Sequence, residues 1–234
     1  MGEVGARRNA FFETFGYLAT ISRSPHCAGP DHPREGRVRM DTAPADILTH
    51  PSVPRHRLTR GDYYRMGEAG ILGDSDRVEL LEGQLVDMSP IGPRHAIVTA
   101  NLNALLVTAF AGRALVRCQD PVVLDDGSEP QPDFALVQRP WRGYPHTHPG
   151  PDDIFLLVEV ADSSLDFDRT VKLKLYARAV IREVWIVDLT TDSVLVHRGP
   201  SGGEYASVVR AEAPAMLEVE GLPGVTIPIA EVFA

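Results

Sequence analysis

Lysine is almost missing from this chain. Of its 23 basic residues among 234, 21 are arginine, and the two lysines, Lys172 and Lys174, lie in one short stretch. Cysteine is as scarce: Cys27 and Cys118 cannot build a disulfide framework or a cysteine-based zinc site. No run approaches the ~18 apolar residues that a bilayer span needs. The N-terminus lacks the long apolar segment of a secretory signal, so the expected compartment is the cytoplasm. Glycine-rich phosphate loops, zinc-ligand spacings, nucleophile elbows, internal repeats and low-complexity tracts are also lacking. What is present is ordinary globular material. Hydrophobic residues at 44% and charged residues at 24% suffice for a core and exclude a chain disordered throughout.

The net charge is −9, unevenly placed. Residues 1–56 hold seven Arg against six Asp and Glu, whereas residues 57–234 hold sixteen Lys and Arg against twenty-six. So acidic a body does not attract nucleic acid by general positive charge. It leaves room for a local basic groove, or for a bound divalent cation that offsets carboxylates. The lysine bias is informative because an ammonium is a compact charge with a tunable pKa, which a guanidinium is not. Either the bias is chance, or one of the two lysines does chemistry that arginine cannot.

Two regions are expected. Residues 1–56 carry six prolines and no sustained periodicity, and read as a loosely ordered extension with a short helix near Asn9–Leu18. Little before Met40 looks like core, which makes Met40 a candidate start. From residue 57 the pattern sharpens into one domain. Thr59 is a suitable N-cap for a helix over Arg60–Ala69. Arg77–Met88 reads as a hairpin turning at Glu82-Gly83. Pro93–Ala111 places Ile97, Leu102, Leu105, Leu106 and Phe110 at helical spacing, with Pro93 in the first turn. Strands are expected at Leu115–Cys118, Val122–Leu124, Pro132–Val137, Ile154–Ala161, Glu183–Asp188 and Ser193–His197. Further edge strands are expected at Glu204–Arg210 and Gly224–Pro228. Residues 138–153 form a long loop, in which His146 and His148 read as polar loop residues. The order predicts a mixed α/β fold with a central sheet flanked by helices.

Three acids stand where apolar residues belong. Glu159 interrupts Ile-Phe-Leu-Leu-Val-Glu-Val-Ala, a strand that should be buried on both faces, and a buried carboxylate is costly unless paired, hydrogen-bonded or metal-bound. Asp133 opens a strand after Pro132, and Glu79 sits within Val-Glu-Leu-Leu. A hairpin acid such as Glu79 can equally face water, and Asp133 can equally be an edge acid. Converging, the three suit a hard divalent cation such as Mg²⁺. In the helix expected over Asp166–Ala179, Asp168, Lys172 and Tyr176 share one face, while Lys174 and Arg178 share another that is solvated. Packed against the sheet beside Glu159, that helix would bring Lys172 to the acids.

Pro132-Asp133, Val158-Glu-Val-Ala-Asp-Ser-Ser164, the Asp168–Ala179 helix and Glu183-Val-Trp-Ile-Val-Asp188 stand in an order that resembles the Uma two family of restriction-type endonucleases, within the PD-(D/E)XK nuclease superfamily. Arg77-Val-Glu79-Leu-Leu-Glu-Gly83, Ser89-Pro90 and His95 extend the likeness, which runs from about Leu58 to the C-terminus. The resemblance implies a restriction-endonuclease-like fold with extra C-terminal strands, and metal-dependent hydrolysis of DNA phosphodiesters by a homodimer. It implies Mg²⁺ or Mn²⁺ on Asp133 and Glu159, with Glu79 as an auxiliary acid. Lys172 would be the catalytic lysine, displaced into the helix because Ala161 stands two residues after Glu159. His95 and Tyr176 match supporting positions; His95 also reads as a helix-surface residue. Where the family often has Gly and then Pro after the helix, this chain has Val180 and Arg182, so the helix end is expected to differ locally. Two other functions stay open: an inactive nuclease-fold binding module, and a metal-dependent hydrolase of another phosphate ester.

Overall fold

A computed structural model describes residues 54–73, 75–162 and 165–234. The extension expected before residue 57, its short helix and the start at Met40 lie outside the described residues, save for residues 54–56. In chain order the elements are α1 (Arg60–Glu68), β1 (Val78–Leu81), β2 (Gln84–Asp87), α2 (Pro93–Ala109), β3 (Leu115–Cys118), β4 (Phe134–Val137) and β5 (Ile154–Ala161). A helical stretch follows, made of α3 (Leu165–Phe167), a π-helical segment (Asp168–Lys172) and α4 (Leu173–Arg178). Then come β6 (Glu183–Asp188), β7 (Ser193–Ser201), β8 (Glu204–Glu212), β9 (Met216–Glu218), β10 (Thr226–Pro228) and α5 (Ile229–Val232).

The central sheet has six strands in the order β3-β4-β5-β6-β7-β8. Every neighbouring pair is antiparallel except β5 and β6. Two adjacent parallel strands need a crossover connection, and here the crossover is the helical stretch from α3 to α4. It covers one face of the sheet, where Leu173, Tyr176 and Ile181 pack on Ala135, Leu157, Ala161, Val184 and Ile186. On the other face, α2 contributes Val98, Leu102, Leu106 and Phe110, and the C-terminal elements contribute Leu217, Ile227, Ile229 and Val232. Strand β5 therefore alternates between two dry layers. Leu156, Val158 and Val160 face α2, while Leu157 and Ala161 face α4. Glu159 shares the α4 face by the period of two.

Local chemistry accounts for several element ends. Thr59 caps α1 in a capping box, accepting from the Asp62 amide at 3.1 Å while Asp62 accepts from the Thr59 amide at 2.8 Å. At the β1–β2 turn, Glu82 and Gly83 both have positive φ, the geometry a two-residue hairpin requires. Gly83 is also pressed against the chain before α1. A Cβ there would lie 2.6 Å from that of Arg57. Leu58 and Gly127 hydrogen-bond to the turn at 2.9 and 2.7 Å.

Three local expectations need correction. Ile97 is 55% exposed, and Val98 takes the core position instead. Val122–Leu124 is not a strand of the sheet. Its amides bond Pro130, Pro149 and Ser128 around a local turn, because prolines 130 and 132 lack the N–H groups a ladder needs. Nor does the helix end differ from a left-handed cap. Val180 has φ 61°, the Ile181 amide bonds the Tyr176 carbonyl at 3.0 Å, and the Val180 amide bonds the Ala177 carbonyl at 3.1 Å. This is the Schellman arrangement, with a β-branched residue where glycine is usual. Ile181 packs with Tyr176 in the α4-side core, which holds the cap in place despite the unfavourable φ.

Because Val180 is exposed, it forfeits little packing when replaced. Val180→Gly is expected to stabilise the fold by about 1 kcal/mol, the left-handed penalty for a side chain less the entropy glycine adds to the unfolded state. The urea midpoint measures this; an unchanged or lower midpoint contradicts it.

Candidate active site

The four residues predicted to do chemistry meet at one end of the sheet. The β4–β5 register pairs Phe134 with Val158, and one further step sets Asp133 opposite Glu159. The Asp133 carboxylate accepts the Val160 amide at 2.8 Å, which ties the two strands together at that point. Glu79 comes from β1, where a bridge from Leu80 to Glu129 lays the hairpin beside the chain leading into β4. The Gln131 amide donates to Glu79 at 3.1 Å. Lys172 completes the cluster from the crossover helix. Its Nζ lies 3.2 Å from Glu79 Oε1 and 3.4 Å from Glu159 Oε1. All four are buried or nearly so, and they line a pocket of about 190 Å³.

The lysine sits in the π-helical segment, where Leu173 donates to the Asp168 carbonyl five residues back. Single π turns recur at functional sites because they re-aim side chains without ending the helix. Asp168, Lys172 and Tyr176 are all buried, as their common face required. Lys174 is exposed, 3.9 Å from Glu204, and Arg178 reaches Glu82 at the surface. One of the chain's two lysines is thus buried among carboxylates and the other is solvated.

The supporting residues are placed as well. Tyr176 donates to Glu159 Oε1 at 2.5 Å. His95 Nε2 meets Asp133 Oδ2 at 3.2 Å, and its other ring nitrogen meets Thr99 at 3.3 Å. His95 is therefore not a free surface residue of α2. One group went unnoticed in the sequence, and another was noted only for its helix face. Gln119 donates to Asp133 Oδ1 at 3.2 Å from a left-handed φ of 53°. Asp168 lines the same pocket. Asp168 was legible as a face-mate of Lys172, whereas Gln119 shows in sequence only as a polar residue after a strand.

Burial shapes the charges. It pushes the Glu159 carboxyl up to about 8, against the opposing pull of Lys172 and the Tyr176 hydroxyl. Burial also pulls Lys172 toward its neutral form, but Glu159, Glu79 and Asp168 together outweigh it and hold the ammonium above the ordinary lysine value. The hydrogen bond to Asp133 raises His95 against the effect of burial. Carboxylates outnumber cations here: Glu79, Asp133, Glu159 and Asp168 face Lys172 and His95.

That donor set, all oxygen and surplus in negative charge, fits a hard cation. Among the described residues, however, no three His, Cys, Asp or Glu side chains are grouped to hold a metal ion. The fit is to a cation bound by one or two carboxylates that keeps several waters, as Mg²⁺ does.

The fold is that of a restriction-endonuclease-like α/β domain. The profile of the Uma2 family, described as "Putative restriction endonuclease", matches residues 61–230, and the chain belongs to that family. Its function class is accordingly nuclease-like. A crystal structure of "a putative nuclease belonging to DUF820" from Anabaena variabilis ATCC 29413 superposes with a TM-score of 0.60 at 13% identity, covering 75% of this chain and 97% of that one. No curated protein matches the chain. Among the described residues no helix is long and apolar enough to cross a membrane.

A raised carboxyl pKa favours the folded state at low pH. Its contribution is complete below the unfolded value of 4.5 and is lost as pH rises through about 8. A glutamine amide in its place cannot ionise. Relative to the wild type, Glu159→Gln is therefore expected to gain on the order of a few kcal/mol in unfolding free energy between pH 5 and 8.5. Denaturant titrations at the two pH values measure it; an equal difference at both contradicts a buried, proton-holding Glu159.

Proposed function

We propose that the protein is an endonuclease that hydrolyses DNA phosphodiester bonds with the help of Mg²⁺ or Mn²⁺. The observation that supports this reading is the seating of the Lys172 ammonium between Glu79 and Glu159, with Asp133 beside Glu159 on the neighbouring strand. Asp133 and Glu159 would hold the cation, with Glu79 assisting. A cation held there shields the scissile phosphate and lowers the pKa of a bound water. The chain's own groups do the rest. Lys172 presents ammonium protons to the attacking water and to the charge that develops on the phosphoryl oxygens, and its burial strengthens both interactions. Glu159, Glu79 and Asp168 together keep that lysine charged. Tyr176 fixes the carboxylate plane of Glu159, while His95 and Gln119 fix that of Asp133. Homodimerisation, which would let two sites address two strands, is proposed by analogy alone. A monomer mass in solution light scattering overturns it.

A competing reading is a binding module that keeps the fold without the chemistry. It draws on the lack of a three-residue metal cluster among the described residues. Incubating the protein with plasmid and Mg²⁺ or Mn²⁺ separates the two, because nicking selects the enzyme and binding alone selects the module. Glu159→Ala and Lys172→Ala are expected to lower nicking at least ~100-fold. Lys172→Arg is expected to fail almost as badly, since a planar guanidinium cannot occupy the ammonium's buried place. Activity that survives both alanine substitutions belongs to a contaminant and refutes the assignment.

A further inference from the structure

A second concavity, of about 570 Å³, opens beside α1 and the long loop after β4. Its described lining includes Arg60, Tyr64, Arg117, Trp141, His146 and His148, with no carboxylate among the lining residues. That is unusual in a chain with 32 acids against 23 Lys and Arg. Arg117 lies with its guanidinium carbon 5.2 Å from the Trp141 ring centre, and Tyr144 meets the same ring edge-on at 4.7 Å. The Arg117 side chain is only 10% exposed. It donates to the Pro121 carbonyl at 3.3 Å and to His148 Nδ1 at 3.2 Å and pairs with the Asp120 carboxylate at 3.5 Å, while its Nε donor has no partner. Leaving a buried donor unmade is costly in a finished site.

The aromatic platform is held in place from behind. Trp141 donates its indole N–H to the Thr147 carbonyl at 2.8 Å. The buried Asp153 carboxylate ties the loop at both ends, accepting from Gln138 at 2.7 Å, the Arg142 amide at 2.8 Å and the Gly150 amide at 3.0 Å. Arg60 and Tyr64 are braced by Glu129, which is buried outside the lining. Glu129 and Asp120 thus position Arg60 and Arg117, and the lining itself carries arginine, histidine and aromatic side chains.

This face adjoins the acid cluster through the chain itself. Arg117 and Gln119 are two residues apart, about 7 Å in extended chain, and Gln119 bonds Asp133. Glu129, which braces Arg60, is likewise two residues from Gln131, which bonds Glu79. Short stretches of chain therefore join the two places.

We infer that this concavity binds an unpaired nucleotide of the substrate strand, stacking its base on Trp141 and holding its phosphate with Arg60 and Arg117. Guanidinium groups pair with phosphate oxygens, and indole faces stack bases of any sequence. The inference takes its substrate class from the nuclease reading, but it is tested without cleavage.

The chain has two tryptophans, and Trp185 is fully buried in the core, so quenching by ligand reports Trp141. Full-length protein in EDTA is titrated with single-stranded oligothymidylate, following indole fluorescence and, with a labelled oligonucleotide, anisotropy. Saturable quenching is expected. Trp141→Leu is expected to weaken binding about tenfold. Trp141→Phe keeps a stacking face, so it should preserve affinity and abolish the quench. Arg117→Ala should lower the salt dependence by about one phosphate contact. Absence of quenching, unchanged affinity in Trp141→Leu, or equal quenching by an oligoglutamate peptide overturns the proposal. Quenching by DNA in a protein that never nicks plasmid sinks the nuclease reading and leaves this site standing; nicking and DNA affinity that ignore Trp141 do the reverse.

Discussion

One buried ammonium organises the candidate active site of this molecule. Lys172 is the counter-ion through which Glu79 of the hairpin and Glu159 of the sheet can share a dry site. Removing one partner of such a buried set typically costs about 3–5 kcal/mol, because the remaining charge is left uncompensated. The hairpin, strand β5 and the crossover helix are therefore locked together by a single point charge. Burial is the main cause of the raised pKa of Glu159, and Asp168 and Asp133 add to it against the pull of Lys172. Sites that keep such an electrostatic surplus give up stability for chemistry.

The topology explains why the lysine is in a helix. The parallel pair β5–β6 demands a crossover, and the crossover returns over the α4-side face, where Glu159 points. A lysine on β5 two residues after Glu159 would share that same face, but there Ala161 packs against the helix. With a small residue on the strand, the helix can approach closely and supply the ammonium from its own inner face. The π turn at Asp168–Lys172 adjusts the aim.

Two concavities of opposite character occur on this acidic domain. The acid cluster gathers negative charge around one lysine. The Arg117–Trp141 concavity is lined by arginine, histidine and aromatic groups, with Glu129 and Asp120 pairing its two arginines. A polyanion is repelled by the general field of the protein and admitted only where that field is locally reversed. The net charge of −9 is thus compatible with a nucleic-acid substrate while disfavouring indiscriminate binding.

Much of the site could be read from sequence because burial makes charged residues conspicuous. Glu159 in an apolar strand, Asp133 at a strand start and a lysine in a chain of arginines are local anomalies, and each proved to be part of one cluster. The Thr59 cap and the Glu82-Gly83 turn were legible for a similar reason: short-range hydrogen bonding and φ preference decide them. Ile97 and Val98 were not separable, since adjacent apolar residues on a helix differ only in what lies opposite. Gln119 and the pairing of Arg117 with Trp141 escaped the sequence entirely, whereas Val180 was conspicuous at the helix end and only its left-handed φ came from the structure. Local composition determined which residues needed partners. Only the tertiary structure decided who those partners were, because hydrogen bonds and ion pairs act over a few ångströms and depend on segments that the fold, not the chain order, brings together.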